Sequence, residues 1–469
     1  MNKLEPTAHD FKKMLDHVCK KIISHYKARE QVNEIDKSQE GMIFLEKYSK
    51  NSKIPENPSS FKKIIDELFA QQIPLSLDTS GSGYLAYVPG GGIVESAIAE
   101  LITCYANRYI GVNFTAPLLL QIETQVIKWL ISIVGYDNSA KGILTSGGSI
   151  ANLHAMILAR EDKLGNKISK GVLYGSSHTH HSIWKGAFAA GLQRKHQRII
   201  EVNSDGKIDL KKLKEQIEVD LKKKLIPFFI VGNAGTTSCG RIDDFYELKK
   251  ISKAYNLWFH IDAAYGGFFC LTSQGKKALS GMQQADSVTL DPHKGLFLPY
   301  GTGALLVNDG TKLDKTFSQH CSYIQCQDND LWDFSNCSLE LSREMRGMRI
   351  YLPVKKYGIN AFRKALTEKI KLSKYTFKKL SQYKMLSLIP NPELTIINFR
   401  YAEASNLKNK TTLELLDFIN NKNNVHLSGV YLEDVFYIRV CILSFRTSKK
   451  DIEALLADLR AFMKNKRHN

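Results

Sequence analysis

Residues 287–295 read SVTLDPHKG, and this stretch decides the fold. Its first four residues form a short run of the kind that builds a buried strand. Asp291 and Pro292 end the run, and Lys294 follows immediately after them. Because α/β proteins bind their ligands at the carboxyl ends of the strands, we take Lys294 as the first candidate for a functional side chain.

Short apolar runs alternate with helix-period segments between residues 85 and 355. An amphipathic segment, Leu118–Val134, precedes the first run, and helical patterns separate most of the others. Such alternation predicts a mostly parallel, seven-stranded sheet covered by helices on both faces. The last two runs lack an intervening helix, which predicts one antiparallel neighbour. The runs are Lys141–Thr145, Val172–Gly175, Ile199–Val202, Phe228–Val231, Leu257–Ile261, Ser287–Leu290 and Gly303–Val307.

A chain of 469 residues is long enough for two or three structural units. We predict a large domain at residues 85–355, preceded at residues 1–84 by a helical segment. The N-terminal segment has an apolar helical face between Phe61 and Phe69, but it is too polar to enclose its own core. We therefore expect it to pack on the partner subunit of a dimer.

The pattern changes at residues 356–469, where we predict a small α+β domain. A Lys-rich helix opens this part, two strand-like runs follow, and an amphipathic helix closes it. In chain order these elements are Gly358–Leu380, Leu394–Arg400, Phe436–Leu443 and Ser448–Met463.

Composition argues against several classes of protein. Hydrophobic residues (43%) and charged residues (24%) are at ordinary globular levels. The formal net charge is +18, but the lysines are spread over surface-like segments without a recognition motif, so we expect no nucleic-acid partner. The eight cysteines form no CxxC pair and read as reduced thiols. We find no signal-peptide core and no run fit to cross a bilayer, so we expect a cytoplasmic protein without a membrane partner.

The segment Thr145–Asn152, TSGGSIAN, follows one predicted strand and opens a helix. A helix N-terminus presents free N–H groups and a partial positive charge, which together bind phosphate. Glycines at positions 147 and 148 allow close approach, and Ser149 adds a hydroxyl. The segment lacks a Walker lysine and a GxGxxG pattern, which argues against a nucleotide site. An ordinary glycine-rich turn remains the alternative.

Asp262 stands at the end of another predicted strand, in the stretch HIDAAYGG at residues 260–267. A buried carboxylate requires a partner. A pyridinium nitrogen is a fitting one, since the small Ala263 and Ala264 leave room for a flat ring. The alternative is a structural Asp that caps the next turn.

Three histidines, His178, His180 and His181, follow a third strand. Close histidines can bind a metal, but no Cys or carboxylate lies at ligand spacing, and neighbouring side chains point apart on extended backbone. We therefore expect no metal, and predict instead a histidine stacked on an aromatic cofactor ring.

Lys294 completes this set of strand-end residues. A partly desolvated lysine amine loses proton affinity and becomes nucleophilic, as a Schiff-base lysine must be. Taken alone, Lys294 is equally well read as a surface lysine. A phosphate-binding turn, a strand-end Asp and this lysine together indicate a pyridoxal 5'-phosphate (PLP) site.

At these residues the chain resembles the group II PLP-dependent amino-acid decarboxylases, of the aromatic-L-amino-acid decarboxylase type. The resemblance runs from about Leu75 to the C-terminus. It implies the fold type I of PLP-dependent transferases, which is aspartate-aminotransferase-like, and a homodimer with shared active sites. The motifs that carry it are Thr145–Asn152, His178–Ser182, Gly235–Thr237, His260–Gly267, Asp291–Gly295, Glu340–Arg343 and Arg439–Thr447.

The resemblance implies a role for each matching residue. Lys294 forms the Schiff base, Asp262 pairs with the pyridine nitrogen, and Ala264 lies against the ring. His180 stacks over the ring and contacts substrate, and Thr237 lies near the ring.

The resemblance also assigns residues to the phosphate. Gly148, Ser149 and His293 help to hold it. Asp291 is expected to border the cofactor, at a position where many members carry Asn.

The mobile loop of the family matches residues 317–338. Tyr323 is the best match for its catalytic tyrosine, which returns a proton to Cα. The alternative for Tyr323 is a plain loop aromatic. Cys321 and Cys326, with His320, are read as free thiols and a loop histidine in preference to a metal site.

The implied reaction is decarboxylation of an L-amino acid to the amine and CO₂ through an external aldimine and a quinonoid. Tyr87 and Pro89 match the wall of the substrate pocket. The segment 107–117 is expected to reach the pocket from the partner subunit. Tyr87 with Tyr109 and Phe114 favours an aromatic substrate. The alternatives are 2,4-diaminobutyrate or another L-amino acid, a PLP-dependent aldehyde synthase, another PLP lyase and an inactive PLP-fold protein.

Overall fold

The computed structural model describes residues 4–28, 43, 45–46, 48–50, 53–318, 332–390, 392–402 and 409–468. Its centre is a seven-stranded sheet with the strand order β1-β7-β6-β5-β4-β2-β3. All neighbours are parallel except β7, which lies antiparallel between β1 and β6. The strands are β1 (Lys141–Thr145), β2 (Gly171–Ser176), β3 (Gln197–Ile200), β4 (Ile226–Asn233), β5 (Trp258–Asp262), β6 (Ser287–Leu290) and β7 (Gly303–Val307). The predicted seven-stranded sheet and its single antiparallel strand are confirmed.

Helices cover both faces of this sheet, as predicted. They include α1 (Ala8–Ala28), α2 (Phe61–Glu67), α3 (Val94–Ala106), α4 (Pro117–Val134), α5 (Gly148–Leu164), α6 (His181–Ala189), α7 (Leu210–Lys222), α8 (Phe245–Ala254), α9 (Ser273–Ala278), α10 (Pro292–Gly295), α11 (Thr311–Phe317), α12 (Gly347–Leu380), α13 (Lys410–Asn421) and α14 (Lys449–His468).

Two hydrophobic cores lie on opposite faces of the sheet. Successive side chains of a strand point to opposite faces, so Leu305 packs into one core and Leu306 into the other. Helices α5, α6 and α11 contribute to the core of Leu305. Helices α4, α7, α8 and α12 contribute to the core of Leu306. Burial on both faces explains why the strands read as nearly continuous apolar runs.

Helix α4 corrects one expectation from the sequence. It is long and apolar enough to cross a membrane by length and composition, whereas we expected no such run. In the structure Leu120, Val126 and Leu130 of this helix are buried in the core. Packing against the sheet accounts for its apolar character.

The C-terminal part forms the expected smaller α+β unit around an antiparallel sheet of order β10-β11-β9-β8. The two predicted strands appear as β9 and β11, whereas β8 and β10 were not predicted. Helix α12 begins eleven residues before the predicted start at Gly358. The backbone is non-helical at Gly358, which has φ 69° and divides α12 into two segments. The strands are β8 (Leu386–Leu388), β9 (Ile396–Tyr401), β10 (Ser428–Leu432) and β11 (Val435–Cys441).

The N-terminal helices lie at the surface of the chain. Helices α1 and α2 contain no buried residue. Apolar side chains such as Ile22, Ile23 and Tyr26 are exposed on α1. Phe11 stacks on Tyr105 of α3 with ring centroids 5.9 Å apart. The segment contacts the main body yet keeps an exposed apolar surface.

Candidate active site

A cavity of about 240 Å³ opens at the carboxyl ends of β1, β2, β4, β5 and β6. The chain reverses direction after each of these strands, so five short segments meet at this edge of the sheet. All nine residues predicted to contact the cofactor line this cavity. They are Gly148, Ser149, His180, Thr237, Asp262, Ala264, Asp291, His293 and Lys294.

Lys294 lies on the short helix α10, one turn after the end of β6. Its Nζ is 2.8 Å from Oδ2 of Asp291. Burial disfavours the ammonium form, but the carboxylates of Asp291 and Asp262 outweigh burial and raise the pKa of Lys294. The sequence argument considered only desolvation, so its expectation of reduced proton affinity was wrong.

Asp262 ends strand β5 and is buried. Its Oδ2 accepts a hydrogen bond from Asn152 Nδ2 at 3.0 Å, and its Oδ1 accepts one from the Ala264 N–H at 3.1 Å. Both bonds are donated to the carboxylate, which satisfies its need for partners as a buried charge. Ala264 beside it has no side chain beyond Cβ, which leaves the cavity open for a planar group.

His180 precedes helix α6 and caps it. Its Nδ1 accepts from the Ser182 N–H at 3.3 Å and lies 2.8 Å from Ser182 Oγ. Burial lowers the pKa of His180. His181 and Lys294 lower it further, whereas Asp262 raises it without reversing the shift.

The other two histidines of the cluster do not share the position of His180. His178 lies outside the cavity lining, with its Nδ1 3.3 Å from the Gly206 carbonyl and 3.6 Å from Cys239 Sγ. The cluster therefore separates, with His180 facing the cavity and His178 facing a buried thiol.

The turn from β1 into helix α5 forms the end of the cavity predicted to bind phosphate. The first N–H groups of α5 have no acceptors within the helix, and the exposed Ser149 lies beside them. His293 Nδ1 donates to the Thr302 carbonyl at 2.7 Å. The other ring nitrogen, Nε2, lies 3.6 Å from Asp291 Oδ2. Burial lowers the pKa of His293.

The predicted substrate residues Tyr87 and Pro89 do not line this cavity. They belong to a segment that packs directly against the lysine segment, since a Cβ on Gly90 would lie 1.9 Å from the His293 carbonyl oxygen. Tyr87 is 66% exposed, and its carbonyl accepts a hydrogen bond from Arg439. Tyr323 lies outside the described residues, as do Cys321 and Cys326.

The cavity also contains residues to which the sequence argument gave no role: Asn152, Ser182, Asn233 and Tyr265. Asn152 carried a signal that could have revealed it. Asn is unfavourable inside a helix because its side chain competes for backbone hydrogen bonds. A buried Asn one turn into α5 therefore indicates a specific polar partner.

The residues present fit pyridoxal phosphate. The cavity combines an amine on Lys294, a carboxylate on Asp262 that only accepts hydrogen bonds, and a helix N-terminus suited to a phosphate. Within the described part of the chain, the buried Oδ1 of Asp291 has no hydrogen-bond partner. A buried polar atom without a partner inside a binding cavity is typical of a site built around a polar ligand.

Comparison with known proteins agrees with this chemistry. The family model of the pyridoxal-dependent decarboxylase conserved domain matches residues 45–402. An aromatic-L-amino-acid decarboxylase of Bacillus atrophaeus is 32% identical over 417 residues, which cover 87% of this chain and 86% of the relative. A phenylacetaldehyde synthase of Arabidopsis thaliana is 25% identical over 92% of this chain and 91% of its own length.

Solved structures show the same fold. The crystal structure of Oryza sativa TDC with PLP and tryptamine superposes with a TM-score of 0.93 at 18% identity, covering 98% of this chain and 99% of that one.

The fold and the site together define a pyridoxal-phosphate-dependent enzyme. The chain belongs to the pyridoxal-dependent decarboxylase family. It is therefore a PLP-dependent carboxy-lyase, and the resemblance seen in its motifs is confirmed.

Proposed function

We propose that this enzyme decarboxylates an aromatic L-amino acid to the corresponding amine and CO₂. The observation that supports this most directly is the convergence of Lys294, Asp262 and His180 on one cavity. The 32% identity to an aromatic-L-amino-acid decarboxylase supports the substrate class. The exposed rings of Tyr87 and Phe114 offer apolar surface to an aromatic side chain.

Bound pyridoxal phosphate supplies the electron sink for the pair released when the Cα–carboxylate bond breaks. The Asp262 carboxylate accepts hydrogen bonds from Asn152 and from the Ala264 N–H, which orient it to pair with the ring nitrogen of the bound cofactor. Lys294 would hold the cofactor through its amine. His180 lines the same cavity, where it would bind and orient the substrate carboxylate. Tyr323 returns the proton to Cα.

A panel of L-amino acids tests this proposal. With added PLP, release of CO₂ and amine is expected from aromatic substrates such as tyrosine, phenylalanine or tryptophan. Lys294→Ala is expected to abolish turnover and the visible absorbance of the bound cofactor, whereas Lys277→Ala at an exposed position is expected to keep both. A borohydride-reducible cofactor adduct with normal turnover in Lys294→Ala would overturn the assignment. Preference for 2,4-diaminobutyrate would overturn the substrate class only.

Aldehyde formation is the second candidate, because a phenylacetaldehyde synthase is among the relatives. The presence of Tyr323 favours the amine as the product, since the resemblance associates formation of the aldehyde with loss of this tyrosine. Tyr323→Phe is expected to divert product from the amine to the aldehyde, together with consumption of O₂. Unchanged amine formation in this variant would remove Tyr323 from the mechanism.

We also propose that the enzyme acts as a homodimer with shared active sites. The exposed apolar side chains of α1 are joined by Leu101, Ile102 and Tyr105 of α3, which form a surface suited to a second copy. Light scattering is expected to give twice the mass of one chain. Mixing a Lys294→Ala subunit with a Tyr323→Phe subunit is expected to restore amine formation only if the sites are shared.

A further inference from the structure

A continuous hydrogen-bond chain runs from the core of the sheet into the active site. Trp258 Nε1 donates to Ser287 Oγ at 2.8 Å, and Ser287 Oγ is 2.8 Å from His260 Nδ1. His260 Nε2 lies 3.0 Å from Asn152 Oδ1. Asn152 in turn contacts two residues of the site, Asp262 and Ser182.

Asn152 is the branch point of this chain. Its Nδ2 donates to Asp262 Oδ2 at 3.0 Å and to Ser182 Oγ at 2.9 Å. Asn152 is almost fully buried, so a reversed amide would place its oxygen against the Asp262 carboxylate at a prohibitive cost. The amide orientation is therefore fixed.

The fixed amide sets the direction of every other hydrogen bond. Because Asn152 Oδ1 can only accept, His260 must carry its proton on Nε2. Burial lowers the pKa of His260 to about 4, so the ring is neutral and its Nδ1 is an acceptor. Ser287 donates to that Nδ1 and accepts from Trp258, which is consistent at each step.

The second branch reaches His180. Ser182 Oγ accepts from Asn152, so its own hydrogen is free to point to His180 Nδ1 at 2.8 Å. The Ser182 N–H is directed at the same atom. His180 Nδ1 therefore accepts from two donors, and a neutral His180 ring carries its proton on Nε2.

We propose that Asn152 is a positioning residue that fixes the tautomer of His180 and the orientation of Asp262. Through Ser182 it holds His180 in the Nε2–H tautomer, and directly it holds the Asp262 carboxylate by a hydrogen bond to Oδ2. The consequence for the reaction rests on the proposed function. The Nε2–H of His180 becomes a donor for the substrate carboxylate, and Asp262 keeps the proton on the cofactor ring nitrogen.

Other charged groups near His180 also act on its pKa. Asp262 and Asp291 favour its protonated form, whereas His181 and Lys294 disfavour it. All four residues are kept in a variant at position 152 or 182, and a proton shared between Asp262 and a carboxylate at position 152 leaves the total charge of that pair at −1. A change in His180 titration in such a variant therefore reports on the hydrogen-bond chain.

Solid-state ¹⁵N NMR of the full-length, PLP-loaded enzyme labelled in histidine tests the proposal. His180 is assigned from the signal lost in His180→Gln. In the wild type we expect the neutral ring to carry its proton on Nε2. This measurement needs no variant at position 152, so it stands even if such variants fail to fold.

Asn152→Asp tests the branch point. A carboxylate at position 152 accepts the Ser182 hydroxyl hydrogen, so the hydroxyl no longer donates to His180 Nδ1 and no longer favours the neutral ring; the pKa of His180 is therefore expected to rise. Two carboxylates in contact must share a proton, so the dissociation constant of PLP is expected to rise about tenfold or more.

The chain offers a matched control in Asn424→Asp. Asn424 Nδ2 donates to Asp458 Oδ1 at 3.0 Å, which repeats the Asn–Asp contact in the C-terminal unit. This variant is expected to leave the titration of His180 and the affinity for PLP unchanged. Ser182→Ala removes only the hydroxyl donor and is expected to give a mixture of His180 tautomers.

Two outcomes would overturn the proposal. One is a wild-type His180 with its proton on Nδ1. The other is a folded Asn152→Asp variant whose His180 titrates as it does in Asn424→Asp. Failure of the aromatic substrates in the activity panel would leave these NMR results unaffected, so the two proposals fail independently.

Discussion

Lys294 Nζ lies 2.8 Å from Asp291 Oδ2, so the lysine proposed to anchor the cofactor forms an ion pair within its own segment. Asp291 is three residues before Lys294, at the start of the short helix α10. Its buried carboxylate favours the ammonium form of Lys294 and raises the pKa of the amine. Lys294 would have to lose this proton to serve as the neutral amine that holds the cofactor.

Asp291→Asn removes that stabilisation and is expected to lower the pKa of Lys294. A lower pKa makes the neutral amine available at lower pH. The pH midpoint for PLP association, followed by stopped-flow absorbance with the apoprotein, is therefore expected to move to lower pH. Burial lowers the pKa of His293 and Asp291 partly opposes burial, so this variant is expected to lower the pKa of His293 further, away from the range in which Lys294 titrates. An unshifted midpoint would show that Asp291 does not control the Lys294 proton.

Much of the fold could be predicted because burial leaves a clear trace in sequence. Six of the seven strands of the central sheet are almost entirely buried, so they appeared as apolar runs. The edge strand β3 is only partly buried, and its run was predicted two residues too late. Strands β8 and β10 were missed because both lie at the edges of a small sheet. Strand β8 has only three residues, and β10 exposes alternate residues over five positions. The break at Gly358 hid the first part of α12, since the helix continues before it in a different direction.

The active-site residues were predictable where a single residue type does a recognisable task at a strand end. Lys294, Asp262 and His180 meet this condition. The role of Asn152 depends on its contacts with Asp262 and His260 from β5 and with Ser182 from α6, which sequence spacing does not bring together. The raised pKa of Lys294 likewise depends on the relative positions of two carboxylates. Effects of this kind depend on distances between residues that are far apart in sequence, so they become visible only in the three-dimensional structure.

Gly90→Ala is expected to disturb the lysine segment from the outside. A Cβ at position 90 would lie 1.9 Å from the His293 carbonyl oxygen and 3.1 Å from that of Leu298, and both are backbone atoms that cannot rotate away. We expect the free energy of unfolding to fall by about 1–3 kcal/mol and PLP to bind more weakly. Urea unfolding and fluorescence titration with PLP measure the two effects.

The control for this substitution is Gly186→Ala in helix α6. A Cβ there meets its nearest atom at an ordinary 3.4 Å, and Ala is the better helix former. We expect stability to be unchanged or slightly higher. Equal behaviour of the two variants would refute the steric argument for Gly90.

Arg439→Met is expected to loosen the substrate side of the site. The buried guanidinium donates from Nε to the Thr237 carbonyl at 2.6 Å and from Nη1 to the Tyr87 carbonyl, so it joins two segments of the site. Loss of these charged hydrogen bonds is expected to cost about 2 kcal/mol of stability. We expect KM to rise more than kcat falls, as steady-state kinetics would show. Arg400→Met on the neighbouring strand β9 is the control, and it is expected to leave KM unchanged.

Asp220 joins helix α7 to the sheet through a buried ion pair with Arg198 of β3. This pair makes the stability of the fold depend on pH. Its side chain is fully buried, 2.5 Å from Arg198 Nη2 and 3.0 Å from the Tyr174 hydroxyl. Burial alone would raise the pKa of Asp220, but Arg198 and its other hydrogen-bond donors outweigh burial and lower it. A lowered pKa means that the carboxylate stabilises the fold above the pKa of the unfolded chain, about 3.9. This stabilisation is lost as the pH falls through the folded value.

Asp220→Asn is therefore expected to lower the free energy of unfolding by about 3 kcal/mol at pH 7, because it leaves the Arg198 charge without its partner. The difference from the wild type is expected to persist down to about pH 5 and to shrink as the pH falls below about 4. Thermal unfolding measured across this range gives both values. Asp205→Asn, at an exposed position, provides the reference and should match the wild type throughout. A difference that grows on acidification would contradict the sign of the Asp220 shift.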